Sequence, residues 1–147
     1  MPHFGLIDNS LNPEEYALQR ARLHIRGAKR RLRQGKISAG LITLYDALVF
    51  ALDWYIASPD RKNKLRIEKD EDLKNDSTVY EILKRSGVID SSFNYGLFNQ
   101  LAEKSLEQDM SDYDYRGILS DFESLMTRLG VMPFDENRLP PEDPSTF

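Results

Sequence analysis

Apolar residues in the N-terminal part of the chain recur every three or four positions, which is the period of an amphipathic helix. This row consists of Leu18, Ala21, Ile25, Ala28 and Leu32. Asn12 and Pro13 precede the row, and a capping residue followed by proline is a typical helix start. Gly35 follows it, where a glycine can end a helix. The pattern predicts a helix of about 20 residues.

A second stretch, residues 41–57 (LITLYDALVFALDWYIA), is apolar almost all the way round. Ser38 is expected to cap this helix, and residues 58–60 (Ser-Pro-Asp) to end it. Two long helices joined by a short turn form an antiparallel hairpin. The stretch is also long enough to span a membrane, but Asp46 and Asp53 would then lie near mid-bilayer, at about 2.5–3.5 kcal/mol each. We therefore expect a buried bundle helix and no membrane contact.

The sequence after this hairpin loses its apolar pattern and later regains it. Residues 60–76 mix both charges densely, which predicts a solvated loop that is either mobile or helical in part. Three shorter helices are predicted to follow. Their expected caps are Asp76-Ser77-Thr78, Asp90-Ser91-Ser92 and Ser111 with Asp114, and Gly87 and Gly130 are placed to end the first and the last of them.

No strand pattern and no internal repeat accompanies these helices. The predicted fold class is therefore all-α, an up-and-down bundle of four to five helices that opens with a long antiparallel hairpin. A chain of 147 residues suffices for one domain with a single core. We expect residues 1–132 to form that domain. Residues 133–147, which hold four of the seven prolines, are expected to form an extended tail.

The composition excludes several classes of protein. The chain contains no cysteine, so it has no disulfide or thiolate zinc site, which suits the reducing cytosol. The N-terminus lacks the features of a signal peptide, and we expect a cytoplasmic protein. The net charge of −4 is unevenly distributed: residues 1–89 hold 16 basic and 12 acidic side chains (+4), and residues 90–147 hold 4 and 12 (−8). Such asymmetry can attract a partner or let the two halves pack together.

The first predicted helix has a strongly basic face. Between Tyr16 and Tyr45 there is no acidic residue, but there are eight basic ones: Arg20, Arg22, Arg26, Lys29, Arg30, Arg31, Arg33 and Lys36. Arg22, Arg26, Lys29 and Arg33 fall on one stripe because 4/3/4 spacing keeps them on one side of a helix. The stripe is a candidate docking surface for phosphate or an acidic protein. The alternative, which is favoured, is a solvated face that neutralises nearby carboxylates.

Asp46 and Asp53 are the two carboxylates of the apolar second helix. Seven residues correspond to two turns, so both side chains project the same way, about 10 Å apart. No histidine or third carboxylate on this helix completes a catalytic or metal site around them. We expect Asp46 and Asp53 to be structural, paired with arginines of the neighbouring helix.

Residues 112–123 are similar in sequence to a calcium-binding EF-hand loop. Asp112 and Asp114 occupy positions 1 and 3, Gly117 position 6 and Glu123 position 12. However, Arg116 would then place a cation among the calcium ligands. The apolar period also continues through this stretch, as an uninterrupted helix requires. We therefore predict no metal site.

Two histidines are present, His3 in the N-terminal arm and His24 within the first helix. His24 lies beside the apolar row and among arginines, which disfavour its protonated form, so a packing role is favoured over a catalytic base. The sequence has no phosphate-binding glycine loop, nucleophile elbow or metal-spaced histidine motif. We predict no catalytic residue and no cofactor, and an enzymatic function is not favoured.

The hairpin sequence of residues 30–52, RRLRQGKISAGLITLYDALVFAL, resembles the helix–glycine–helix core of HEPN-like domains. The resemblance covers residues 14–57 and includes a basic first helix and aromatic and alanine positions such as Tyr45 and Ala47. It implies an up-down bundle, frequently dimeric, that often serves as the partner or substrate-binding subunit of a small nucleotidyltransferase. Many relatives are ribonucleases with an Arg-x4–6-His motif. Here only three residues separate Arg20 from His24, so the motif is absent.

Three functional hypotheses remain open. The first is a non-catalytic interaction module that contacts a protein partner and forms a homodimer. The second is a nucleotide- or RNA-binding module that uses Arg22, Arg26, Lys29 and Arg33. The third is an enzyme of unrecognised type, which would need a pocket lined by Asp46, Asp53 or His24. The surroundings of the two aspartates in the folded chain discriminate among them.

Overall fold

The computed structural model of the chain describes residues 11–147, except for the side chain of Thr146. Within this range the chain forms six α-helices and no strand, so the prediction of an all-α bundle is confirmed. The helices are α1 (Pro13–Arg33), α2 (Ile37–Ala57), α3 (Pro59–Lys62), α4 (Asp76–Arg85), α5 (Tyr95–Glu107) and α6 (Arg116–Leu129). Two short 3-10 helices, Glu136–Arg138 and Pro144–Thr146, lie in the tail. The one-turn helix α3 accounts for the difference from the predicted number.

The antiparallel pair α1 and α2 is the largest packing unit of the bundle. Asn12 caps α1 as predicted, because its side-chain oxygen accepts a hydrogen bond of 2.8 Å from the backbone N–H of Glu15. Gly35 adopts a φ of +78°, a left-handed conformation that few other residues tolerate, and this turns the chain into α2. Near this turn, Gly40 lies so close to Leu32 that a Cβ atom would be 2.6 Å from its side chain. A glycine at position 40 is therefore a condition of the close approach.

Several predicted helix caps are wrong, and each has an identifiable replacement. Ser38 lies inside α2, whose N-cap position is Lys36 and has no side-chain hydrogen bond. The hydroxyl of Ser38 instead donates to the carbonyl of Gln108 at 2.9 Å and accepts from the N–H of Met110 at 3.0 Å. Ser38 therefore connects the start of α2 to the end of α5.

The other misplaced caps concern neighbouring polar residues. Asn75 caps α4 and Asn94 caps α5, each by accepting a backbone N–H three residues later. Asp90 forms a local turn with Ser92 rather than a helix cap. At the start of α6 the N-cap position is Tyr115, which has no side-chain cap bond, but the predicted Asp114 accepts a hydrogen bond of 3.2 Å from the backbone N–H of Arg116. Asx and Ser residues cluster before each of these helices, and local sequence does not decide which of them adopts the extended backbone of a cap.

The core lies around α2 and continues into an aromatic cluster between α4, α5 and α6. Leu44, Ala47, Leu48 and Ala51 are at most 1% exposed. In the aromatic cluster the ring of Phe98 lies 5.3 Å from that of Phe93 and 5.7 Å from that of Phe122. The next shell adds Tyr80, whose hydroxyl donates to the carbonyl of Phe93. These edge-to-face and tilted contacts join α4, α5 and α6 to one another. The ring of Phe98 also lies 6.0 Å from that of Tyr45, which connects the cluster to α2.

Two arginines hold the charged stretch between α2 and α4. The guanidinium of Arg61 donates to the carbonyls of Trp54 and Tyr55 at the C-terminus of α2, and pairs with Glu14 at 2.8 Å. It also lies 4.0 Å from the centre of the Trp54 ring. Arg85 of α4 pairs with Glu71, and its guanidinium also donates to a carbonyl of the stretch. Orphan carbonyls at a helix end are satisfied in this way by a cationic donor.

Helix α2 meets the length and composition criterion of a membrane span, with a mean hydropathy of 1.4 over its most apolar 18 residues. Of this window, 56% is buried inside the bundle. A core helix meets the same criterion when it is covered on most sides, and α2 is covered by α1 and α5.

We predict that Gly40→Ala lowers the free energy of unfolding by about 1–3 kcal/mol, as expected for overpacking. The new methyl group would lie 2.6 Å from the side chain of Leu32, which is 1% exposed and surrounded by the core. Urea denaturation followed by circular dichroism measures the change.

The matched control is Gly117→Ala in the first turn of α6, where an added Cβ meets nothing within 4 Å. This substitution should be neutral or stabilise by up to about 1 kcal/mol, because alanine restricts the unfolded chain. Equal stabilities of Gly40→Ala and the wild type would contradict the close-approach argument.

Candidate functional site

The C-terminal segment of the chain covers the basic face of α1. From here on we call residues 131–147 the tail, which adds two residues to the tail predicted from the sequence. Three arginines one turn apart, Arg22, Arg26 and Arg30, form what we call the arginine row. The Nε of Arg22 donates to the carbonyl of Val131 at 3.0 Å. Arg26 donates to the carbonyls of Glu136 at 3.3 Å and Pro140 at 2.6 Å. The row therefore binds the tail backbone at separate points along its length.

The last arginine of the row makes a charged contact with the tail. The Nε of Arg30 lies 3.2 Å and 3.3 Å from the two carboxylate oxygens of Glu142. Both side chains are largely buried, with 11% and 13% exposure, so this ion pair is shielded from solvent screening. Aromatic rings flank the row at both ends, since Phe134 lies 5.5 Å from the guanidinium of Arg22 and Phe147 lies 4.9 Å from that of Arg30.

The structure rearranges the basic stripe that the sequence predicts. Arg22 and Arg26 lie under the tail as neighbours, whereas Lys29 points to α6 and pairs with Glu123 at 3.5 Å. Arg33 is exposed at the end of α1. Arg30, which sequence reasoning did not include in the stripe, takes the third place. Its i, i+4 spacing from Arg26 was a signal that could have identified it.

Burial affects the electrostatics of the row. Desolvation lowers the pKa of Arg22 and of Arg26, although nearby Glu142 and Glu136 raise the pKa of Arg26 in part. Arginine remains charged under these conditions because its ordinary pKa is far above neutral. The tail carbonyls of Val131, Glu136 and Pro140 provide hydrogen bonds that compensate for the lost hydration of these guanidinium groups.

Asp46 and Asp53 lie on α2, and both are exposed. Among residues 11–147, neither carboxylate has a salt-bridge partner within 4.0 Å, so the structure does not bring them together with the arginines of α1 in the predicted way. Partial burial raises the pKa of Asp46, and the charge of Arg20 lowers it. Arg20 is 2% exposed and lies 5.2 Å from the centre of the Phe50 ring. Asp46 and Asp53 are thus surface carboxylates.

Asp53 belongs instead to an acidic surface. Partial burial raises the pKa of Asp53, and the neighbouring carboxylate of Asp76 raises it further. The pKa of Tyr45 rises to about 12 because the ring is partly buried and because Tyr95, Asp76 and Glu103 lie nearby. Helices α2, α4 and α5 contribute these groups, which the sequence places far apart. The result is a surface where negative charge is concentrated.

An apolar groove opens on this acidic surface between α2 and α5, and we call it the α2–α5 groove. It has a volume of about 330 Å³. Its lining consists of Ile42, Tyr45, Asp46, Asn99, Ala102, Glu103 and Leu106. Leu106 is 72% exposed, so its side chain extends the apolar lining of the groove to the surface. Asp46, a predicted site residue, thus lies at the edge of a groove that the sequence did not reveal.

A larger cleft, of about 620 Å³, lies between the N-terminal half of α1 and the start of the tail. Gln19, Arg22 and Phe134 are among its lining residues. The side-chain oxygen of Gln19 is buried and has no hydrogen-bond partner within the described part of the chain. The cleft shares Arg22 with the arginine row, so its shape depends on the position of the tail.

The remaining candidate residues, His24 and those of the EF-hand-like stretch, make contacts within the bundle. His24 is 6% exposed, its Nδ1 donates to the carbonyl of Arg20 at 2.7 Å, and its ring lies 5.1 Å from that of Phe50. In the EF-hand-like stretch, Asp114 accepts two hydrogen bonds from the guanidinium of Arg116, where α6 begins. Helical backbone from this point cannot wrap around a cation. Within residues 11–147 no group of three or more potential ligands could hold a metal ion. His3 lies outside the described residues.

Comparison of the chain with family models, with curated proteins and with solved structures finds no match.

We predict that Asp53→Asn stabilises the protein at pH 7. Because the folded-state pKa of Asp53 is raised above its ordinary value of 3.8, its ionised form opposes folding at high pH, and this cost disappears below that value. The gain should remain below about 1 kcal/mol, because solvent screens an exposed carboxylate. Urea denaturation at a series of pH values should show the gain shrinking as the pH falls towards 4.

Asp114→Asn is the control of opposite sign. Hydrogen bonds from Arg116 lower the pKa of Asp114 to about 2, so its ionised form favours folding and its removal should not stabilise. If Asp53→Asn destabilises the protein at pH 7, the electrostatic description of the acidic surface is wrong.

Proposed function

We propose that this protein is a non-catalytic interaction module whose contact surface is the α2–α5 groove, and that its partner presents a segment with both basic and apolar side chains. The observation that carries the proposal is the exposure of Leu106 beside an apolar groove flanked by Asp46 and Glu103. Exposed apolar surface with a polar rim is typical of a contact site between proteins.

The α2–α5 groove is large enough to accommodate side chains of a partner protein. Its volume of about 330 Å³ lies at the lower end of the range of ligand pockets and is sufficient for one or two large aliphatic side chains. Ile42, Ala102 and the ring of Tyr45 provide apolar walls. An inserted leucine or isoleucine would also cover Leu106, and removal of this apolar surface from water would favour binding.

The charge around the groove specifies the chemistry of the partner. Asp46 and Glu103 flank the groove, and Asp53 and Asp76 extend the negative surface beyond it. The raised pKa values of Asp46 and Asp53 mean that added positive charge would stabilise their ionised forms. Lysine or arginine beside the apolar side chain would therefore be recognised by electrostatic complementarity.

The same charge argues against a second copy of this chain as the occupant. In a two-fold dimer each patch meets itself, so Asp46 and Glu103 would face the same carboxylates of the other subunit. Like charges across an interface oppose association. The expected homodimer would need a different face, whereas the resemblance of residues 14–57 to HEPN-like partner subunits agrees with a separate protein as the occupant.

The nucleic-acid hypothesis has less support. Arg22 and Arg26 donate hydrogen bonds to the tail, and Lys29 pairs with Glu123. A phosphate backbone would have to displace these contacts before it could neutralise the basic face. Arg33 alone of the predicted stripe is exposed. One exposed cation gives little of the counterion release on which affinity for nucleic acid depends.

The proposal predicts the composition of peptides that bind the groove. Random peptides displayed on phage are selected on the wild-type protein and counter-selected on Leu106→Asp. We expect the retained peptides to be enriched in lysine or arginine beside leucine, isoleucine or phenylalanine. Charge reversal by Glu103→Lys should lower their affinity about tenfold, since it replaces attraction by repulsion. Isothermal titration calorimetry measures the affinities.

The matched control is Asp121→Lys on the exposed surface of α6, away from the groove. It changes the net charge by the same amount and should leave the affinity nearly unchanged. Retained peptides that are acidic, or that bind Leu106→Asp as well as the wild type, would refute the groove as the contact site. Self-association that Leu106→Asp abolishes would replace the proposed partner with a second copy of the chain.

A further inference from the structure

The contacts between the arginine row and the tail have the form of peptide recognition. Arg22 and Arg26 donate to backbone carbonyls, and Arg30 contacts the carboxylate of Glu142. Carbonyl and carboxylate oxygens at intervals along a chain are the acceptors that an extended acidic peptide offers. Phe134 and Phe147 add ring contacts at the two ends of the row. The row therefore distinguishes a peptide by its backbone, its charge and its flanking aromatic residues.

The distal tail, which we define as residues 135–147, buries less apolar surface than the helices do. Val131 at the start of the tail is fully buried, but none of residues 135–145 is buried, and residues 135–138 are all exposed. Its contacts with α1 include hydrogen bonds from Arg26, the ion pair of Arg30 with Glu142, and the ring of Phe147 beside Arg30. Segments that bury few apolar contacts open locally at a small fraction of the cost of global unfolding. Release of the distal tail would leave the bundle core intact.

Charge complements these contacts. The tail carries Asp135, Glu136, Glu142 and Asp143 against a single basic residue, Arg138. Arg26 donates to the neutral carbonyls of Glu136 and Pro140 in the part of the tail that can be released. A competing segment that places a carboxylate beside Arg26 would form a stronger, charge-assisted bond there. The tail thus has the acceptors and the negative charge that the arginine row binds, but a segment with more carboxylates would bind the row more tightly.

We infer that the arginine row is a binding site for an extended acidic peptide segment, that the chain's own tail occupies it in cis, and that a segment of similar chemistry from another protein displaces the tail. The cis arrangement keeps the site closed, because a tethered ligand competes at an effective concentration in the millimolar range. A partner segment binds when it carries more carboxylates than the tail or when the tail is weakened. This site is distinct from the α2–α5 groove.

A peptide is favoured over a nucleic acid by the contacts in cis. The bonds of Arg22 and Arg26 to the tail follow a polypeptide backbone, and Arg30 makes a two-oxygen contact with a carboxylate. Single-stranded nucleic acid offers phosphates and stacking bases instead. A short single-stranded oligonucleotide therefore serves as the competing probe in the experiment.

The experiment measures binding of a fluorescent synthetic peptide of residues 131–147 to the full-length protein by fluorescence anisotropy. The peptide should bind the wild type weakly, because the cis tail competes. Glu142→Gln removes the carboxylate from the cis tail while leaving the row unchanged. We expect this variant to bind the peptide on the order of tenfold more tightly, the effect of losing one shielded charged hydrogen bond.

Two controls separate recognition from general charge effects. Glu107→Gln makes the same change in net charge on an exposed position of α5 and should bind the peptide as the wild type does. A peptide with glutamine at the position of Glu142 should bind the Glu142→Gln protein on the order of tenfold more weakly than the native peptide. The second comparison changes the peptide alone, so misfolding of the protein cannot imitate the result.

Three results would overturn the inference. The first is equal affinity of the peptide for the wild type and Glu142→Gln. The second is equal affinity of the native and glutamine peptides for Glu142→Gln. The third is an oligonucleotide that binds Glu142→Gln more tightly than the peptide does, which would make the row a phosphate site. None of these results concerns Leu106 or Glu103. The proposed function of the α2–α5 groove is therefore tested independently of the arginine row.

Discussion

The packing of α1 against α2 is the constraint on which the other features depend. It requires a glycine at position 40, since any Cβ there would collide with Leu32, and a left-handed turn at Gly35. The two helices have 21 residues each, and their close contact buries the alanine-rich seam of α1. Ten residues of α2 are buried in the bundle. The shorter helices α4, α5 and α6 pack against α2 of this hairpin. Because those helices bury few residues of their own, their positions depend on the hairpin.

The two charged surfaces belong to different helices of the hairpin. The arginine row lies on α1 and is covered by the acidic tail, whereas Asp46 and Asp53 lie on α2 and are exposed. Each surface meets its complement in another segment: the basic one in the tail, and the acidic one, as we propose, in a separate protein. Charge asymmetry along the sequence thus corresponds partly to pairing between the two chain ends.

Much of the fold could be predicted because its determinants are local. The periodic apolar row, the cap at Asn12 and the stop at Gly35 each act within one or two turns of helix. Cap prediction failed where several Asx or Ser residues stood close together, as before α4 and α5. Ser38 is the clearest case, because its hydroxyl finds partners at Gln108 and Met110, about 70 residues away in the sequence. No local rule describes such a contact.

The candidate sites show the same distinction between features set by local sequence and features set by contacts between distant segments. The sequence by itself determined the helical hairpin and the basic character of α1, because these follow from helical period and residue type. Only the tertiary structure decided that Arg30 joins Arg22 and Arg26 under the tail, that Lys29 turns to Glu123, and that Leu106 stands exposed beside Asp46. These arrangements depend on which distant segments meet. Helical period fixes the direction of a side chain but not what lies opposite it.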